Sequence, residues 1–107
     1  MREERNGRNE GAAHGREQAE SLAIQALGFI AGDDVLMPRF LAITGIEAAD
    51  IRRAAAEPGF LAGVLRFLLD HEPTLDAYCL ATGTKPEAVG RALRALPGGQ
   101  DVYEGST

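Results

Sequence analysis

Apolar residues recur at steps of three and four through most of the chain, which is the period of amphipathic α-helices. No stretch alternates apolar and polar residues as a half-buried β-strand does. Glycine and proline divide the pattern into short segments, and Asp33 after the first segment offers a carboxylate cap for the second. We predict an all-α fold, a compact single-domain bundle of five to six short helices. They cover about 17–31, a segment ending at Thr44, about 47–56, 58–70 and 73–82, and a segment ending near Leu96.

The segment at about 58–70 is apolar around most of its circumference. Only Gly63, Arg66 and Asp70 mark a polar side on a helical wheel. A helix that is apolar on so many sides has neighbours packed around it. We therefore expect this helix to be the centre of the bundle, with four residues nearly buried: Phe60, Val64, Leu65 and Leu68.

Two stretches of the chain, 40–55 and 78–93, align without gaps. In both, a helix ends at a threonine followed by a glycine, and another helix starts after a short turn. Glycine is typical of a left-handed helix C-cap, because it reaches positive φ at no steric cost. The repeat predicts two helix–Gly–turn–helix hairpins that place Gly45 and Gly83 at equivalent positions.

Both ends of the chain lack this helical pattern. Residues 1–16 mix both charges with Gly and Asn, and residues 98–107 begin with two glycines. Such segments carry too little apolar surface to offset the entropy of ordering. We predict a disordered tail at each end, 1–16 and 98–107, around one helical domain at 17–97.

Composition and charge narrow the class of protein. The chain has 11 basic and 16 acidic residues, a net charge of −5, and an acidic surface repels phosphate and anionic lipid. Nucleic-acid binding is disfavoured, although a local basic patch is compatible with this charge. A single cysteine cannot form an intramolecular disulfide, and no segment approaches the roughly 20 apolar residues of a membrane span. We expect a cytoplasmic protein that does not bind membranes.

The second hairpin, at 75–96, resembles a helix-turn-helix. Gly83 would lie at the turn, with the small Cys79 four residues before it and the aliphatic Val89 six residues after it. Three basic residues would then face outward as possible nucleic-acid contacts: Lys85, Arg91 and Arg94. A helical hairpin that does not bind DNA needs the same turn residues for packing alone. The negative net charge of the chain also argues against DNA binding.

Few residues offer chemistry. Two or three metal ligands could come from a cluster of four residues: Asp70, His71, Glu72 and Asp76. A helix ends and another begins in this stretch, and histidine is favoured at a helix C-terminus and acidic residues at an N-terminus, so capping explains the same residues. Cys79 falls on an apolar face, where a thiol packs as a small hydrophobic side chain. No catalytic triad, phosphate loop, dinucleotide fingerprint or CxxC pair is present. We predict that the protein is not an enzyme and has no catalytic, cofactor-binding or metal-binding residues.

Three pieces of the chain carry a family resemblance: FLAITG, EPGFLAGVL and FLLDHEPTLDAYC. With the residues around them, 23–79 and 86–98, they resemble a family of short bacterial proteins catalogued as domain of unknown function three-five-seven-two. The resemblance covers nearly all of the predicted helical domain. It implies an all-helical bacterial cytoplasmic protein and carries over no catalytic residue.

Three hypotheses of function follow. A complete helical core without attached chemistry favours a non-catalytic module that binds another protein, in a regulatory role. The alternative is a DNA-binding regulator that uses the hairpin at 75–96. A small enzyme or metal protein would need a concave pocket that holds His71 and at least two carboxylates.

Overall fold

A computed structural model gives the backbone of residues 2–99 and the side chains of residues 15–99. Within this range all regular structure is helical, which confirms the all-α prediction. None of these helices is long and apolar enough to cross a membrane. The helices are α1 (Arg2–Ala31), α2 (Leu36–Thr44), α3 (Ile51–Ala55, preceded by a 3-10 turn at Ala48–Asp50), α4 (Phe60–Leu69), α5 (Glu72–Thr82) and α6 (Pro86–Ala95).

Helix α4 is the centre of the bundle, as its apolar circumference predicts. It contacts α1, α3, α5 and α6, and the four residues expected to be nearly buried are all buried. The helix begins two residues later than predicted. Pro58 lies in the preceding turn, because Gly59 has a φ of 111° and so cannot belong to a right-handed helix.

The two predicted hairpins are present. Gly45 and Gly83 have φ values of 76° and 73°, and both end a helix in the left-handed region. Their N–H groups donate to the carbonyls four residues earlier, Leu41 at 2.9 Å and Cys79 at 2.8 Å. The same local bonding therefore closes both helices.

Equivalent aromatic residues anchor the first helix of each hairpin. Phe40 packs edge-on against Phe60 and Phe67 of α4, with ring centroids 6.1 and 5.4 Å apart. Tyr78, its counterpart in the repeat, packs edge-on against Phe29 of α1 at 5.5 Å. Both anchors are fully buried. Their ring contacts link α2 to α4 and α5 to α1, in addition to the packing of α2 on α1 and of α5 on α4.

The first helix is longer than predicted. It begins at Arg2 rather than near residue 17, so its backbone is helical over 2–16, where the sequence predicted a disordered tail. The Arg, Glu and Ala residues of this segment favour helix, and each interspersed glycine costs only about 1 kcal/mol. Residue 1 lies outside the described range.

The other predicted tail begins within the fold. Gly99 is buried and donates a backbone hydrogen bond to Leu96. A Cβ atom at Gly99 would lie 1.7 Å from the carbonyl oxygen of Leu93, so only glycine allows this close approach. Residues 98–99 thus pack against the end of α6, whereas residues 100–107 lie outside the described range and the tail there stays a prediction.

Candidate functional site

A groove of about 320 Å³ lies between α1 and α6. Among the described residues that line it, most have small or apolar side chains, and the polar ones are Gln18 and Arg91. Helix α1 provides Gly15, Gln18, Ala19 and Leu22, and helix α6 provides Ala88, Arg91, Ala92 and Ala95.

The groove follows from the spacing of small residues on both helices. Gly15 and Ala19 are one helical turn apart on α1, and Ala88 and Ala92 are one turn apart on α6. Small residues at steps of four form a shallow strip along the surface of a helix. Two such helices pack closely, and their short side chains leave an open groove beside the line of contact. Ala19 and Ala92 are buried at the floor, and Ala95 is exposed. The result is an open apolar surface with the backbones of two packed helices beneath it.

The three basic residues proposed as nucleic-acid contacts are all exposed. Lys85 is the residue just before α6, and Arg94 lies in the last turn of that helix. Arg91 lines the groove and forms no ion pair with the described acidic side chains. In the first hairpin, by contrast, Arg53 forms an ion pair of 3.3 Å with Asp50. The structure thus places these three residues on α6 or directly before it, with Arg91 at the groove.

His71 starts a helix, and it lies outside the groove. Its carbonyl accepts the N–H groups of Thr74 and Leu75, both at 3.0 Å. Its ring Nδ1 lies 2.7 Å from the Thr74 hydroxyl, which is buried in the first turn of α5. In the described part of the chain, no three His, Cys, Asp or Glu side chains are arranged to hold a metal ion.

Cys79 of α5 is half-buried and packs against the core. Burial raises the pKa of its thiol, and the negative charges of Asp76 and Glu87 raise it further. A cysteine nucleophile needs the opposite, an environment that stabilises the thiolate. The thiol is therefore a packing group against the core, as its place on an apolar face suggests.

Sequence reasoning did not identify the groove or the exposure of Leu80. Small residues at steps of four on α1 and α6 were the available signal for the groove, but they show neither which faces meet nor how much space remains. Leu80 belongs to a helix that buries Leu75 and Tyr78, yet it is 87% exposed on the other side of α5. Position on the wheel relative to Leu75 and Tyr78 could have indicated this.

A family model described as protein of unknown function (DUF3572) matches residues 16–99, which is most of the chain. Comparisons with curated proteins and with solved structures give no match.

Proposed function

We propose that this chain, which belongs to the DUF3572 family, is a non-catalytic regulatory module that binds another protein in the bacterial cytoplasm. The observation that carries the proposal is the apolar groove between α1 and α6. A preformed groove with a rigid helical floor is the surface that amphipathic helices bind when they insert apolar side chains at helical spacing.

The composition of the groove suits a helical partner. Ala19 and Ala92 at the floor let a partner side chain approach the backbone of both helices. Leu22 supplies apolar contact area, which is the main source of binding energy at the centre of an interface. Gln18 and Arg91 add polar groups, and Arg91 favours a partner with a carboxylate beside its apolar side chains.

Two features support a role other than catalysis. His71 is exposed at a helix start, away from the groove lining, and the Cys79 thiol has a raised pKa. An enzyme would bring such groups together in a concave site with a nucleophile or a base.

Selection of peptides tests the groove directly. A displayed library of helical peptides is selected against the full-length protein, and the binders are compared on two variants. Ala95→Arg places a large charged side chain beside the groove, whereas Ala42→Arg makes the same change at an exposed site on α2. We expect Ala95→Arg to weaken binding by about tenfold or more and Ala42→Arg to leave it unchanged. Binders that respond equally to both variants, or none at all, would contradict the proposal.

DNA binding is a second candidate, and one observation favours it. The α5–Gly83–α6 hairpin has a left-handed glycine at its turn, and Lys85, Arg91 and Arg94 are exposed on or beside α6. A helix-turn-helix places basic side chains of its second helix against phosphates and base edges. Binding that falls steeply with added salt would support this function.

A further inference from the structure

We infer that the groove binds a second copy of this chain, so that Leu80 of each copy enters the α1–α6 groove of the other while Asp76 faces Arg91. This inference rests on the proposed function, because it names the partner of the same groove. The observations behind it are an exposed apolar side chain, complementary charges and the closeness of the two surfaces on one molecule.

Leu80 is the most exposed of the large apolar side chains in the described part of the chain. It is 87% exposed, compared with 67% for Ile43, 63% for Val35 and 59% for Ile24. Ala77 and Ala81 on either side of it are also exposed. The outer face of α5 thus presents one large apolar side chain among small ones.

The charges of the two surfaces are opposite. Asp76 lies one helical turn before Leu80, so its carboxylate is beside the leucine on the same face. Arg91 lies at the groove and has no acidic partner in the described part of its own chain. A copy that inserts Leu80 therefore brings its Asp76 carboxylate to the Arg91 guanidinium of the other copy. The ion pair and the leucine contact favour the same orientation of the two copies.

The inserting face and the receiving groove lie on neighbouring helices. Helices α5 and α6 contact each other, and Glu87 of α6 is near enough to Cys79 of α5 for its charge to act on the thiol. Arg91 follows Glu87 by one helical turn. Adjacent donor and acceptor surfaces allow a two-fold axis, about which each copy gives and receives the same contact. Such an arrangement closes as a dimer and does not extend into a filament.

Sedimentation velocity on the full-length protein, from micromolar to millimolar concentration, tests this inference. We expect a concentration-dependent dimer. Leu80→Ser and Ala95→Arg should each raise its dissociation constant by about tenfold or more, because each removes the insertion of Leu80 into the groove. Ala42→Arg is the control and should leave the constant unchanged. All three positions are exposed, so circular dichroism should show equal folding.

A charge exchange separates this dimer from other modes of association. Asp76→Arg and Arg91→Glu should each weaken the dimer, since each places like charges across the interface. The double variant restores opposite charges between copies, and it should recover most of the wild-type dissociation constant. A protein that stays monomeric, or a dimer that Leu80→Ser does not weaken or the double variant does not restore, would overturn the inference. If the monomer still binds helical peptides in an Ala95→Arg-sensitive manner, the proposed function stands and only the identity of the partner is wrong.

Discussion

The side chain of Arg66 in α4 donates a hydrogen bond of 2.9 Å to the backbone carbonyl of Gly98, 32 residues later. The guanidinium Nε of Arg66 is buried and has no hydrogen-bond partner in the described part of the chain. The hydrogen bond from the Arg66 guanidinium to Gly98 thus fixes the segment after α6 to the central helix α4. Arg66 interrupts the apolar surface of α4, and this contact is a structural reason for its presence.

Replacing Arg66 should destabilise the fold. Arg66→Ala removes the charged donor from a partly buried carbonyl and the packing of the aliphatic stem, and we expect a loss of about 1–3 kcal/mol. Arg52→Ala, on an exposed face of α3, is the control and should change stability by less than about 0.5 kcal/mol. Urea denaturation measures both, and equal effects would show that the Arg66–Gly98 bond contributes nothing.

Leu65 should be among the most sensitive positions of the core. Its side chain is fully buried in the central helix α4. Leu65→Ala should lower the free energy of unfolding by about 2–5 kcal/mol, since it removes apolar contacts and leaves a cavity. Leu80→Ala makes the same change at an exposed leucine, and at a concentration where the protein is monomeric it should cost little. A loss below about 1 kcal/mol at Leu65 would place the centre of the core elsewhere.

The features predicted from sequence are those set by local chemistry. Gly45 and Gly83 could be identified because a left-handed cap requires glycine within a few residues of a helix end. The central position of α4 follows from its own circumference. The groove depends instead on which faces of α1 and α6 meet. An alanine such as Ala92 does not indicate from sequence which neighbouring helix its face contacts. The hydrogen bond from Arg66 to Gly98 likewise joins residues far apart in sequence, so the local pattern around Gly98 does not indicate it.

The two cap glycines should resist substitution equally. Gly45→Val and Gly83→Val force a β-branched residue to positive φ, and each should cost more than about 1 kcal/mol. Gly28 provides the contrast, because it lies inside α1 with open space where a Cβ would be. Gly28→Ala should stabilise the protein by about 0.4–1 kcal/mol. Thermal and urea unfolding give these values. If valine were tolerated at either cap, the two hairpins would not share one turn.

Asp33 should make stability depend on pH at the acid end. Its carboxylate accepts the N–H groups of Val35 at 2.8 Å and Leu36 at 2.9 Å, and the bond from Leu36, then that from Val35, lowers its pKa. A carboxyl group whose pKa is lower in the folded state stabilises the fold above its unfolded pKa of about 3.9. That contribution is lost as the pH falls through the folded pKa.

The variant Asp33→Asn keeps an acceptor for the cap but cannot titrate. We expect it to retain most of the wild-type stability at neutral pH and to lose less on acidification than the wild type. Asp34→Asn is the control, since the Asp34 side chain accepts no capping bond in the described structure. Urea unfolding at neutral and acid pH gives the comparison. An acid-induced loss for Asp33→Asn as steep as that of the wild type would show that the cap does not cause it.

Nucleic-acid binding can be distinguished from protein binding through Arg91. With a net charge of −5 and Arg91 at an apolar groove, we expect no complex with any DNA duplex at roughly 50 mM salt. If α6 did contact phosphates, a mobility-shift assay would detect a complex whose affinity falls steeply as salt is added. Arg91→Ala and Arg94→Ala would then each weaken it and lower the salt slope by about 1, whereas Arg52→Ala on α3 would not. That outcome would identify the hairpin as a DNA-binding element, because neither peptide binding nor self-association through the groove produces a complex with duplex DNA.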